Sequence, residues 1–370
     1  MKHDSLRALV LLATVAAITA ARGQAPAPVG PARTAAPAPA ENSPTPNPPY
    51  AGELERVTVH GTALVGNLEG DPADRQVSVY LPPSYAHEPQ RRYPVLYMLH
   101  GFTDSDSRWF GLQGQHFVNL PRAIDHAFAH GVREMIVVMP DAFTKYQGSM
   151  YSNSAVTGNW EAFVTQDLVR FMDTRYRTLA SRASRGLAGH SMGGYGTLRI
   201  GMKYPQVFSS LYALSPCCLG ASLEPSAEVT SKAAQVLTSE QIAAADFPTK
   251  AMLASAAAWS PDPARPPRYF VLPVEDGKPV PAIIAEWAAN APLAMVNQYI
   301  PNLRMFDAIA FDAGDHDEGI AATIKTLDGI LSGYRLAHTF AIYEGNHVDH
   351  IQQRLEEHVL PFFSQHLKFE

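Results

Sequence analysis

The stretch "LAGHSMGGYG", residues 187–196, sets one serine among four glycines and a histidine. A helix interior would not choose this run, because each glycine costs about 1 kcal/mol of helix propensity relative to alanine. The preceding "RGLAGH" reads as a short buried strand and the residues from about Met192 onward as a helix. A strand that passes directly into a helix forces the residue between them onto a sharp turn. The glycines at 189, 193 and 194 remove side chains that would clash there. Ser191 is thereby lifted out at the C-terminal edge of a sheet, beside a helix N-terminus that favours developing negative charge.

Outward from this turn the pattern alternates. "ERVTVHG" and "DRQVSVYLP" alternate apolar with polar residues and predict edge strands that can pair antiparallel. "YPVLYMLHG" and "EMIVVMPD" are nearly continuous apolar runs, as strands buried on both faces should be. "RGLAGHS", "SLYALSP", "FDAIAFDAG" and "TFAIYEGNH" complete a set of eight. "VNLPRAIDHAFAHG" and "WEAFVTQDLVRFMDTRYR" carry apolar residues at helical spacing between them. The expectation is an α/β fold, a mostly parallel central sheet of about eight strands with helices on both faces. An Ala/Pro-rich segment, about 219–301, falls between the sixth and seventh strands.

A serine hydroxyl is a weak nucleophile until a base takes its proton. Two later strand ends offer the partners. "FDAGDHDEG" carries Asp312, Asp315 and Asp317, and "YEGNHVDH" carries His347 and His350. The order serine, acid, histidine and the GxSxG elbow are those of α/β-hydrolases. His347 is the expected base with His350 in reserve, and Asp317 the expected acid with Asp315 and Asp312 behind it. His190, beside the nucleophile, is expected to pack rather than to act as a base. His316 sits among acids, but the spacing matches neither HExxH nor a calcium loop, so no metal site is expected. Attack on a carbonyl needs donors for the oxyanion. The backbone N–H groups of Met192, following the serine, and of Phe102, after His100 and Gly101, are the expected pair. Trp109, Trp160 and Tyr195 are candidate surfaces for a sugar or aromatic acyl group, together with Phe110, Tyr146 and Tyr151.

The chain has 370 residues, 46% hydrophobic and 17% charged, with a formal net charge of −6 and no lysine or arginine block. Nucleic acid is therefore not an expected partner. Residues 1–23 combine a short basic start with an apolar run of threonine and small residues, and read as a secretory leader. The run is shorter than the ~20 residues of a membrane span, so an exported, periplasmic or secreted protein is expected. Residues 24–49 are almost all Ala, Pro, Thr, Ser and Asn, a semi-rigid tether, and 50–370 read as one domain. The two cysteines, Cys217 and Cys218, are adjacent. Consecutive α-carbons lie about 3.8 Å apart against a usual disulfide span of roughly 4.4–6.8 Å, so packed thiols are favoured over a bridge.

"YPVLYMLHGF", "LAGHSMGGYGTLRIGMKYPQVFSSLYALSP" and "YEGNHVDH" together resemble the esterase family of α/β-hydrolases that includes esterase D, bacterial feruloyl and acetylxylan esterases and the mycolyltransferases. The resemblance spans roughly residues 53–368. It implies ester chemistry through an acyl-serine, without a cofactor, on small-molecule or polysaccharide esters. In that family the acid follows a glycine by three residues, which maps from Gly314 onto Asp317. The long insertion departs from the compact members, is expected to contribute a lid or acyl pocket, and puts the carry-over of the family's substrates in doubt; an acyltransferase of the mycolyltransferase kind, which shares the triad, is the alternative to hydrolysis. A non-catalytic binding protein on the same fold is the third reading.

Overall fold

The structure, a computed structural model, describes residues 50–221 and 224–370. The leader and tether expected at 1–23 and 24–49 lie outside the described residues. Eight strands form the central sheet: β1 (Glu53–His60), β2 (Asp74–Leu81), β3 (Val95–Leu99), β4 (Ile136–Pro140), β5 (Arg185–His190), β6 (Ser210–Leu214), β7 (Ala308–Gly314) and β8 (Thr339–Tyr343). Their order is β1-β2-β4-β3-β5-β6-β7-β8. β2 runs antiparallel to β1 and to β4, and every other pairing is parallel. This is the α/β-hydrolase architecture expected, with the alternating strands at the antiparallel edge.

The continuous apolar strands divide residue by residue between two cores, as a side-chain period of two requires. In β3, Val95, Tyr97 and Leu99 enter one core while Leu96 and Met98 enter the other. The first core is closed by helices Met192–Lys203, Pro292–Leu303 and Glu318–Gly333 through Leu198, Val296 and Ile324. The second is closed by helix Leu120–Ala129 and the C-terminal helix Leu360–His366 through Ile124 and Phe363. The helical run predicted around Trp160 is present, but Phe163–Leu168 widens into a π turn, with the Thr165 hydroxyl donating to the Glu161 carbonyl at 2.6 Å. Among the described residues no helix is long and apolar enough to cross a membrane.

Between β6 and β7 the chain builds a small helical cap, including Ala227–Gln235, Ser239–Ala244, Phe247–Trp259 and Pro281–Ala289. Its alanines serve close approach. Ala254, Ala256 and Ala257 of helix Phe247–Trp259 are buried with Ile242, Phe270 and Leu272 against Tyr146 and Val156. The helix starts cleanly because the Asp246 carboxylate accepts the Thr249 N–H at 2.9 Å. Helix Ser239–Ala244 begins with a reciprocal capping box between Thr238 and Gln241.

Two charges are buried where the C-terminal helix meets the sheet. Asp312 on β7 is fully buried, accepts the Tyr212 hydroxyl at 2.6 Å and the Arg354 Nε–H at 3.0 Å, and burial pushes its carboxyl up despite the guanidinium. Removing one partner of such a pair leaves an uncompensated charge. Arg354→Leu should lower unfolding free energy by about 3–5 kcal/mol in urea titrations, and the double variant Arg354→Leu/Asp312→Leu by clearly less. Equal losses in the two would show that the charge pairing does not govern this contact.

Candidate active site

Ser191 lies between β5 and helix Met192–Lys203 with φ of 57° and ψ of −115°. A non-glycine residue there stores about 1–3 kcal/mol of strain that the surroundings must hold. Three backbone bonds do so. The Ser191 N–H donates to the Leu214 carbonyl at 3.0 Å, and the Ser191 carbonyl accepts from Tyr195 at 2.9 Å and from Cys217 at 3.1 Å. The turn is possible only because its glycines lack Cβ atoms. A Cβ at Gly189 would lie 2.4 Å from the Gly193 backbone, and one at Gly193 would lie 2.0 Å from the Leu99 carbonyl oxygen.

The loops after β7 and β8 bring an acid and a base to this turn. The Ser191 hydroxyl and His347 Nε2 are 2.9 Å apart, and His347 Nδ1 is 2.6 Å from Asp317 Oδ2. With Nδ1–H donating to the carboxylate, Nε2 is left as the acceptor for the serine proton. The other candidate acids do different work. Asp315 accepts the Gly345 N–H at 3.0 Å and so ties the two loops together, a bond that lowers its own pKa. Asp312 faces Arg354 inside the fold and cannot reach the imidazole. His350 caps the short helix Ile351–Arg354 with a left-handed backbone and sets its ring edge-on to Tyr343. His316 is exposed, 3.8 Å from Asp315.

The turn His100-Gly101-Phe102 lies against the nucleophile, since a Cβ at Gly101 would sit 3.5 Å from Ser191 Cβ. It is pinned by His100, whose buried ring donates from Nδ1 to the Gly101 carbonyl at 2.8 Å and accepts the Ala142 N–H at Nε2, also 2.8 Å. The Thr103 N–H adds a bond to the Gln147 carbonyl at 3.0 Å. Gly148 packs on both candidate oxyanion residues: a Cβ there would meet the Phe102 ring at 2.6 Å and Met192 Sδ at 2.7 Å.

The three aromatic side chains expected to stack on substrate are corrected by their burial. Trp109, Trp160 and Tyr195 are all sealed in the cores. Trp109 Nε1–H donates to Asp104 at 2.7 Å, Trp160 Nε1–H to the Thr157 carbonyl at 2.8 Å, and the Tyr195 hydroxyl to the Asn290 carbonyl at 2.9 Å. Phe110, Tyr146 and Tyr151 are buried as well. Each has its polar tip, where it has one, or its ring turned inward, as large aromatics next to a sheet usually are. The exposed apolar groups bordering the site are instead Phe117, beside His190, Phe247 of the cap, edge-on to Phe102 at 5.6 Å, and Val348, which follows the base. Val348 comes with the base in sequence, whereas no local motif marks Phe117 and Phe247, which the tertiary fold brings to the site.

His190 does more than pack. Its Nε2–H donates to the His347 carbonyl at 2.8 Å, so the strand that leads into Ser191 also holds the loop that carries His347. Its Nδ1 is buried without a partner.

A family model described as "Putative esterase" matches residues 72–356. An esterase of Mycobacterium tuberculosis is 37% identical over 139 residues, which are 36% of this chain and 27% of that protein. A protein of Xylanibacter ruminicola named endo-1,4-beta-xylanase/feruloyl esterase is 30% identical over 135 residues, 35% of this chain and 18% of that protein. The chain therefore spans only a minor part of these relatives. Among solved structures, a ferulic acid esterase superposes with a TM-score of 0.61 at 20% identity, over 86% of this chain and 99% of the other. An S-formylglutathione hydrolase from Agrobacterium tumefaciens gives 0.55 at 17%, over 87% and 98%. At such identities the superpositions establish the shared fold.

Burial, and then the neighbouring His347, push the His190 imidazole down to about 3. The folded protein keeps it neutral where the unfolded chain, near 6.5, takes up a proton. Stability should therefore fall by about 1.4 kcal/mol per pH unit from this group as pH drops from 6.5 towards 3. Imidazole C–H resonances followed by NMR should show no titration of His190 between pH 8 and 4. A midpoint near 6 would contradict the buried, neutral donor described above.

Proposed function

The chain belongs to the putative-esterase family, and from that premise we propose that it is a serine carboxylic-ester hydrolase working through an acyl-serine intermediate. The observation that carries this reading is the continuous relay of Ser191, His347 and Asp317 at 2.9 and 2.6 Å. As Ser191 Oγ attacks the ester carbonyl carbon, its proton passes to His347 Nε2. The C=O electron pair moves onto oxygen, and the oxyanion is received by the N–H groups of Phe102 and Met192. Collapse re-forms the carbonyl and expels the alcohol, which takes the proton from His347. Water then enters by the same route, with His347 as base, and releases the acid and the free serine. Asp317 holds the imidazole in the tautomer that accepts at Nε2 and stabilises the cation it becomes.

For the acyl group we propose small acetyl or aromatic, feruloyl-type esters. The support is the apolar border of Phe102, Phe117, Phe247 and Val348 around an otherwise polar relay, together with the feruloyl esterases among the similar proteins. Export belongs to the same proposal and rests on residues 1–23.

A fluorophosphonate should label the wild-type chain at Ser191 and leave Ser191→Ala unlabelled. Turnover of p-nitrophenyl acetate should fall by about 10⁴-fold or more in Ser191→Ala, and His347→Ala should fall comparably, since the two groups act as a unit. Labelling at another serine, or residual activity in Ser191→Ala within tenfold of wild type, would refute the assignment. Comparison of acetyl, longer aliphatic and feruloyl esters by kcat/KM should show the aromatic ester accepted and the long-chain esters poor.

A further inference from the structure

The only two cysteines of the chain stand together against the nucleophile. β6 ends at Leu214, and Ser215 and Cys218 both take positive φ, 38° and 61°, so the segment folds back over the elbow. The Cys217 N–H donates to the Ser191 carbonyl at 3.1 Å. The two sulfurs touch at 2.7 Å. Cys218 is exposed and Cys217 half-buried behind it. A solvent-facing thiol, a second thiol in contact with it, and a backbone bond from that second residue to the nucleophile thus form one continuous path.

We propose that Cys217 and Cys218 are a reversible thiol-modification site, oxidised to a vicinal disulfide by low-molecular-weight disulfides, and that the bridge lowers the reactivity of Ser191. Its functional half rests on the esterase reading above. The Cys218 thiolate attacks one sulfur of the external disulfide, whose S–S bond breaks and releases one thiolate. Cys217 then attacks the Cys218 sulfur of the mixed disulfide, gives its proton to the departing thiolate, and expels the second thiol. Two cysteine thiols lose two electrons, and the external disulfide gains them as two thiols.

Cys218 is the residue that starts the exchange because it is the accessible one. Contact with Cys218 and burial both hold the Cys217 thiol well above the usual range, so it stays protonated and leaves the first attack to Cys218. Consecutive α-carbons at about 3.8 Å must accommodate a bond that ordinarily spans roughly 4.4–6.8 Å, so the ring closes only with backbone distortion. Strained, exposed disulfides are readily reduced, and this one is accordingly a switch and not a staple. The distortion falls on the residue that bonds the Ser191 carbonyl. A misplacement of about 1 Å at a reacting group costs on the order of 10²-fold in rate.

The test uses the full chain, wild type and Cys218→Ser, equilibrated with oxidised or reduced glutathione. Mass spectrometry should find the peptide holding residues 217 and 218 lighter by two hydrogens in oxidised wild type. Turnover of p-nitrophenyl acetate should fall by about tenfold or more, between no effect and the full misplacement cost, and return with dithiothreitol. Cys218→Ser should keep the reduced rate and ignore the disulfide. Amide hydrogen exchange supplies a readout independent of turnover: the Cys217 N–H should exchange faster in the oxidised protein as its bond to Ser191 loosens. Thiols that stay free, arrest at a mixed glutathione adduct, or a bridge that changes neither Cys217 exchange nor turnover would each overturn the proposal. A reduced wild type that hydrolyses no ester would fail the esterase reading instead, and the mass and exchange results would still decide the bridge and its coupling to the elbow.

Discussion

The helix that begins at Met192 runs so close to the end of β3 that no side chain fits between them at Gly193, where even one carbon would meet the Leu99 carbonyl oxygen at 2.0 Å. This steric constraint sets the arrangement of the site. It fixes the angle at which β5 turns into the helix, and so the strained backbone of Ser191. It also brings the His100-Gly101-Phe102 turn alongside the nucleophile. Strain at one residue persists because the neighbouring strand β6 and the segment that follows it over-determine it, through Leu214 and Cys217.

The fold was legible for a plain reason. Its central strands are buried on both faces, and apolar runs such as "VLYML" and "IVVMP" leave few alternatives once helical periodicity lies between them. Ser191 and the two loops carrying Asp317 and His347 were legible because glycine-rich strand ends at fixed order are a chemical requirement of the turn. The choice among Asp312, Asp315 and Asp317 was not, from the residues alone. It depends on which way each carboxylate leaves β7, and alternation sends Asp312 inward to Arg354 while the loop turns Asp317 towards the imidazole. The aromatic residues misled for a related reason. Trp109 and Tyr195 are near the site in sequence and Trp160 opens a helix elsewhere, but large aromatics next to a sheet have more apolar area to bury than a rim position can cover.

The histidines show how much of a site lies behind its reacting atoms. His100 and His190 lie behind Ser191 and His347, where one pins the Gly101 carbonyl and the other the His347 carbonyl. His100 uses both ring nitrogens to join the turn after β3 to the Ala142 N–H after β4, and His190 uses Nε2 to join the end of β5 to the loop after β8. Apolar residues of the same size would fill the space and leave those loops free.

β8 lies at the sheet's edge, paired with β7 alone and half exposed along most of its length. It is also the strand from which His347 departs. Edge elements with few buried contacts open locally at a smaller free-energy cost than the centre of a sheet. Fraying of this border strand would therefore displace the loop that carries His347 while the interior of the sheet stays folded.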